Sequence, residues 1–183
     1  MKLNVSVPFT AEQAKKLKAG DVVTISGVIY TARDAAHKRM LEEYDKTGKF
    51  PFDIQNQIVY YAGPAPAKPN EIIGSVGPTT SYRMDAYSPV LLRFGLRGMI
   101  GKGIRNNDVI QAMKQYTGVY FGATGGAGAL LAKHIESVEI IAYEDLGAEA
   151  IRKLVVKDFP VIVIIDSEGN NLYETEPAKY NKE

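Results

Sequence analysis

What most constrains the fold of this chain is an alternation. Short β-branched, apolar runs are each followed by a stretch with helical spacing. "DVVTISGVIYTA" (21–32) has the composition of a buried strand. Arg33 to about Lys46 follows, with Ala36, Met40, Leu41 and Tyr44 on one helical face. The succession returns in "LRGMIGKG" (96–103) and then "NNDVIQAMKQYTG", a helix capped by Asn106 or Asn107 and stopped at Gly118. It returns again in "VYFGATGGAGALLAKHI", read as strand, glycine-rich turn and helix. "KLNVSV" opens the chain as a strand before "TAEQAKKLKAG", where Thr10 and Gln13 have capping-box spacing and Gly20 is a stop. Strands are expected around Ile58–Ala62 and over "EIIGSVG" and "VEIIAYEDL", and a short helix over "GAEAIRKLVV". "FPVIVIIDSEGNNLYE" reads as a buried strand, a turn around Glu168–Asn171 and an edge strand. Pro89 is expected to break or kink a helix that starts near residue 79 and runs toward Phe94. The class is α/β. The 183 residues suit a single domain over 1–183. The prolines at 64, 66 and 69 then mark a surface loop, and about 176–183 a polar tail.

The balance of 22 Lys+Arg against 21 Asp+Glu gives no global reason to bind nucleic acid or an anionic membrane. No apolar run reaches the ~18–20 residues of a membrane span. The N-terminus lacks the apolar core of a signal peptide, so a cytoplasmic chain is expected. There is no cysteine, and the two histidines, His37 and His134, lie far apart. Disulfides are excluded, as is an iron–sulfur centre held by thiolates of this chain alone.

Three segments carry candidate chemistry. "GPTTSYRMD" (77–85) ends a strand and offers Thr79 or Thr80 as a helix cap. A helix start also suits a carboxylate, with Arg83 one turn on to grip it. Both readings of the segment stay open. "ARDAAHK" (32–38) places Arg33, Asp34 and His37 at another helix start. In "MIGKG" (99–103) the flanking glycines let the backbone pass close to a ligand while Lys102 reaches it. "GATGGAGAL" (122–130) is not a phosphate loop, because Ala129 and Leu130 stand where lysine and a hydroxyl are needed. If Arg33, Arg83 and Lys102 converge, they make a site for a dianion such as a dicarboxylic acid.

"ARDAAHKR", "GSVGPTTSYRMD", "GMIGKG", "YFGATGGAGALLAK" and "EDLGAEAIRKL…DFPVIVIIDSEGN" resemble, in that order, the C-terminal or β portion of class I fumarases and L-tartrate dehydratases. The resemblance runs over roughly residues 3 to 175. It implies a swivelling β/β/α domain and a hydro-lyase with a [4Fe–4S] cluster, one iron of which is open to substrate. It also implies a cysteine-bearing α subunit as partner, an α2β2 assembly, and a chain that is inactive alone. By the same resemblance, Arg33, Arg83 and Lys102 are the dicarboxylate-binding cations, with Lys102 and Thr79 catalytic and Thr79 the base at C3 of malate. Asp34, Asp85 and His37 are then partners that aim the arginines. Tyr82 replaces a residue that is often small and alters the pocket wall. Dehydration of (S)-malate is the expected reaction. The alternatives are L(+)-tartrate or a mesaconate-like acid as substrate, or a small-anion-binding module without catalysis.

Overall fold

A computed structural model describes residues 2–123 and 128–175. Four crossovers build a parallel array of β1 (Lys2–Ser6), β2 (Val22–Thr31), β3 (Ile58–Tyr60), β4 (Gly98–Gly101) and β5 (Val119–Ala123). The returning strand β7 (Ile151–Ile165) runs antiparallel to it. The first half of β7 pairs with β6 (Ile135–Ala142) and the second half with β5, while β2 lies along both. The sheet order is therefore β1-β2-β3-β4-β5-β7-β6, and the β2–β7 pairing closes β2, β3, β4, β5 and β7 into a small barrel-like ring. A turn of direction at Asp158 (φ 51) and a register shift between Ile25 and Gly27 accompany Pro160, which a regular central strand would not accept.

Strand alternation separates two cores. Ile58, Tyr60, Ile100 and Phe121 point into one, with Val23, Ile25, Leu154 and Val161. Val59, Tyr61, Met99 and Tyr120 point into the other, against Met40, Leu91, Leu92, Val109 and Met113. Strands buried on both faces explain why "IVYY" is continuously apolar. The second core is roofed by α2 (Asp34–Thr47), α3 (Ser88–Arg93) and α4 (Asn107–Tyr116). The short α1 (Ala11–Lys16) and α5 (Gly128–Ala132) complete the elements.

The α/β class holds. The Thr10 cap is present, with its oxygen accepting from the Gln13 N–H at 3.3 Å, although α1 ends at Leu17 before Gly20. Asn106 caps α4 through the Val109 N–H at 3.0 Å. Thr117, in the left-handed region, ends that helix one residue before Gly118.

Four expectations are corrected. "EIIGSVG" forms no strand, because β3 and β4 pair directly with one another. Its backbone instead bonds to Ala65 and to Gly128. "IRKLVV" is not helical but the start of β7, since strands on both sides capture it. The helical turn falls earlier, as a 3₁₀ segment over Glu144–Glu149. Residues 79–94 hold no kinked helix. A 3₁₀ turn (Ser81–Met84) ends, and α3 begins with Pro89 in its first turn, where a missing N–H costs nothing. No edge strand follows the Glu168–Asn171 turn: Asn171 makes a single bridge to Ile165, and 172–175 turn helical. The glycine-rich turn at 124–127 and the tail at 176–183 lie outside the described residues.

Candidate dicarboxylate site at the strand ends

β2, β3 and β4 are mutually parallel, so their C-terminal ends share one edge of the sheet. In parallel α/β sheets and barrels ligands commonly bind at that edge, where loops diverge. Arg33 lies two residues past the end of β2, Tyr61–Gly63 follow β3, and Lys102 follows β4. Segment 79–81 docks across these ends. The Thr79 N–H donates to the Tyr61 carbonyl (2.7 Å), the Lys102 N–H to the Thr79 carbonyl (3.3 Å), and the Ser81 N–H to the Lys102 carbonyl (2.9 Å). Thr80 and Lys102 form a parallel bridge. Thr79 and Lys102 are thus neighbours by backbone pairing.

Gly101 makes this docking possible. A Cβ there would fall 2.1 Å from Ser81 Oγ, a distance no side chain tolerates. Ser81 Oγ and Tyr120 Oη are 2.7 Å apart, and the Tyr120 hydroxyl donates to the Gly103 carbonyl at 2.9 Å. The segment before the site and the loop after Lys102 are therefore tied through one buried tyrosine. The expected side-chain cap is absent: Thr80 occupies the cap position without a side-chain bond, and the element behind it is a single four-residue 3₁₀ turn. Position, not a helix N-terminus, brings Thr79 to the site.

Arg33, Asp34, Arg83 and Glu149 make a charged cluster. Arg33 Nε lies 3.6 Å from Glu149 Oε1 and 4.0 Å from Asp34 Oδ1. Arg83 is exposed, and its pKa is raised first by its neighbour Tyr82 and then by the charges of Asp34 and Glu149. Tyr82 stands 58% exposed beside it, so it adds an aromatic rim. A surface concavity between Ala65–Ser75 and Ala129–Ile135 lies elsewhere, and none of Arg33, Thr79, Arg83 or Lys102 lines it. The cations sit on an open face.

His37 and Asp85 do other work than aiming those guanidinium groups. His37 is fully buried on α2, and its Nδ1 lies 2.8 Å from the Arg33 carbonyl. A carbonyl only accepts, so Nδ1 carries the proton and braces the Arg33 backbone. Burial holds the ring pKa down to about 4, so the ring is neutral at pH 7. Asp85 pairs with Arg105: Oδ1 accepts from Arg105 Nε at 2.7 Å, and Oδ2 from the Asn106 N–H at 2.9 Å. Arg105 also donates to Ser88 Oγ (2.8 Å) and Tyr61 Oη (3.2 Å), and lies between the Tyr61 and Tyr120 rings, 5.2 and 4.9 Å from their centroids. This buried node joins the end of β3, the 79–85 segment and the start of α4.

Residues 1–176 match the family described as "Fumarase C-terminus". The chain belongs to that family. It is 39% identical over 154 residues to the aerobic class I fumarate hydratase of Escherichia coli, covering 83% of this chain and 28% of that protein. It is 37% identical over 164 residues to fumarate hydratase 2 of Leishmania major, covering 88% of this chain and 29% of that one. A Methanocaldococcus jannaschii protein provisionally named L(+)-tartrate dehydratase subunit beta is 39% identical over 172 residues, covering 91% of this chain and 88% of that one. The chain thus spans about a third of the length of the fumarate hydratases it matches, and most of the tartrate dehydratase subunit.

In this fumarase C-terminal chain, sequence reasoning passed over Glu149 and Arg105. Glu149 sits in "EDLGAEA" with no motif around it, and only the fold carries it to Arg33. Arg105 reads as a charged residue before a helix cap. Nothing local signals that its side chain is 0% exposed. Among the described residues no group of three acidic or histidine side chains could hold a metal, and no helix is long and apolar enough to cross a membrane.

Proposed function

We propose that this chain is the β subunit of a two-chain hydro-lyase that reversibly dehydrates (S)-malate to fumarate. The observation that carries it is the placing of Arg33, Arg83, Thr79 and Lys102 on one strand-end edge of a fumarase C-terminal chain. Arg33 and Arg83 bind the two carboxylates, each through a planar fork that matches the anion. Lys102 adds a mobile point charge beside Thr79 and offsets the negative charge that grows on the carboxylate next to C3 as its proton leaves. The Thr79 oxygen takes that proton as its own hydroxyl proton passes to a carboxylate of the partner chain. The Thr79 backbone is pinned on both sides, which fixes the position from which the hydroxyl projects. A free alcohol is a weak base, so the proposal requires a carboxylate from the partner chain beside it.

A [4Fe–4S] cluster needs about three to four thiolates. This chain has none, so its residues do not fit the cluster. A cysteine-bearing α subunit would hold it, and no step is assigned to it here. The open face around the cations is consistent with such a partner closing the site. The family resemblance implies an α2β2 assembly, and a cytoplasmic location is part of the proposal. A second reading, L(+)-tartrate as substrate, is favoured by the Methanocaldococcus relative, 88% of whose length is covered.

The test is an anaerobic assay of the chain alone and then with its cysteine-bearing partner, following fumarate absorbance from L-malate and oxaloacetate from L(+)-tartrate. Turnover only in the mixture, with malate preferred, is the expected result. Preference for tartrate keeps the chemistry and changes the substrate. Turnover by the isolated chain would overturn the two-chain reading. In the active mixture, Thr79→Val is expected to abolish turnover, and near-normal rates would remove Thr79 as the base.

A further inference from the structure

Among the described residues, three buried polar atoms without a hydrogen-bond partner meet at one point: Arg33 Nε, Asp34 Oδ1 and Glu149 Oε1. At 3.6 and 4.0 Å the contacts are ion pairs just longer than hydrogen bonds. Both acids meet the same inner edge of the guanidinium. Nε is sealed from solvent, yet the Arg33 side chain keeps 26% exposure. The terminal amino groups are neither among the buried unpaired atoms nor bonded to another described residue. One edge of Arg33 is held, and the other is left free.

We propose that Glu149 is a positioning residue: with Asp34 it clamps the inner edge of Arg33 so that the two terminal amino groups face a ligand carboxylate. The proposal rests on the dicarboxylate reading of the site above. Asp34 follows Arg33 directly and cannot set its direction alone. Glu149 comes from the 3₁₀ segment before β7, and that segment is itself fastened. Asp145 accepts from Arg39 Nη1 at 2.7 Å, Tyr143 bonds Glu43, and Arg152 Nη1 donates to the carbonyls of Gly147 and Ala148 at 3.2 Å. Gly63 permits the approach, since a Cβ there would lie 2.9 Å from the Ala148 carbonyl and 3.2 Å from Arg33 Cδ. An arginine held on one edge loses less rotamer freedom when it binds.

The sign of one substitution separates this role from simple charge. Glu149 is an anion near a site for dianions. If it acts only through its field, Glu149→Gln removes a repulsion and tightens diacid binding. If it clamps Arg33, the same change frees the guanidinium and weakens binding, by about tenfold.

The experiment has two arms. In the full chain, the Arg33 Nε–H resonance is followed by nitrogen-15 NMR, with hydrogen exchange expected to quicken in Glu149→Gln. In the complex with the cysteine-bearing partner, succinate affinity is measured for wild type, Glu149→Gln, Arg33→Ala and the double variant. The clamp predicts a weaker Glu149→Gln and a double variant no worse than Arg33→Ala alone. Tighter or unchanged binding in Glu149→Gln, or an unchanged Nε–H resonance, overturns it. If Arg33→Ala binds succinate as wild type does, the dicarboxylate reading has failed and the clamp falls with it.

Discussion

Replacing Asp85 by alanine should cost more than any other single change at this edge of the sheet. Its carboxylate supplies the only negative charge bonded to Arg105 among the described residues, and also takes the Asn106 N–H. The two side chains are 0% and 8% exposed, so water cannot replace the lost partner. Ser88, Tyr61 and the two tyrosine faces remain, and all are neutral. Leaving a buried charge unpaired in this way costs about 3–5 kcal/mol. Replacing both members by apolar groups is far milder, so Asp85→Ala with Arg105→Met should be more stable than Asp85→Ala alone. Urea unfolding of the four chains gives the coupling, provided the slope m stays constant. Hydrogen exchange supplies a local readout. The Thr79 and Ser81 amides, bonded to the Tyr61 and Lys102 carbonyls, should exchange faster in Asp85→Ala. A loss under about 1 kcal/mol with additive single changes would show that the node is not held by charge.

Further predictions follow from the same contacts. His37 stays neutral to about pH 4 in the folded chain but titrates near its ordinary 6.5 when unfolded. Below the ordinary value the unfolded chain binds the extra proton, so His37 makes stability fall as pH drops from about 6.5 to about 4, by at most about 3 kcal/mol. His37→Gln should flatten that part of the pH–stability curve, and an unchanged slope would reject the neutral buried ring. Gly101→Ala should lower stability and loosen the Thr79–Lys102 pairing, because its Cβ collides with Ser81 Oγ; a chain with wild-type melting and exchange would contradict the 2.1 Å approach. Arg83→Ala should weaken succinate binding in the two-chain complex at least roughly tenfold, with Arg83→Lys recovering only part; full recovery by lysine would mean that a point charge suffices.

The readable parts of the fold were those in which local pattern and tertiary structure agree. The β-branched and apolar runs at 22–31, 58–60 and 119–123 are strands largely buried in the sheet, and Thr10 and Asn106 cap helices as their spacing indicates. "IRKLVV" misleads because its composition tolerates either state, and only the flanking β2 and β6 decide. "EIIGSVG" misleads in the opposite direction. It has strand composition, but the direct β3–β4 pairing leaves it no place between them. The cations at 33, 83 and 102 could be named because each follows a strand or turn signal. What each touches could not, since contact partners are set by pairs far apart in sequence: Arg33 with Glu149, and Asp85 with Arg105.

Those two pairs show how one residue type serves two ends of the same site. Arg105 is buried and bonds Asp85 through Nε, Ser88 and Tyr61 through Nη2 and the Met99 sulfur through Nη1, so a ligand could reach it only by breaking the node. It is structural because it is satisfied. Among the described residues Arg33 is met only along Nε, and no described partner would have to be displaced for a carboxylate to bind its terminal groups. Arg33 stood out in the sequence and Arg105 did not, but the sequence does not say which of the two is already bonded. The number of bonds already made distinguishes them. A buried arginine with most of its donors used fixes the frame, and one met along a single edge is poised for an anion. By that criterion Arg33 suits the proposed dicarboxylate site and Arg105 its frame, and substitutions at Arg105 should change how well the chain folds before they change which acid it binds.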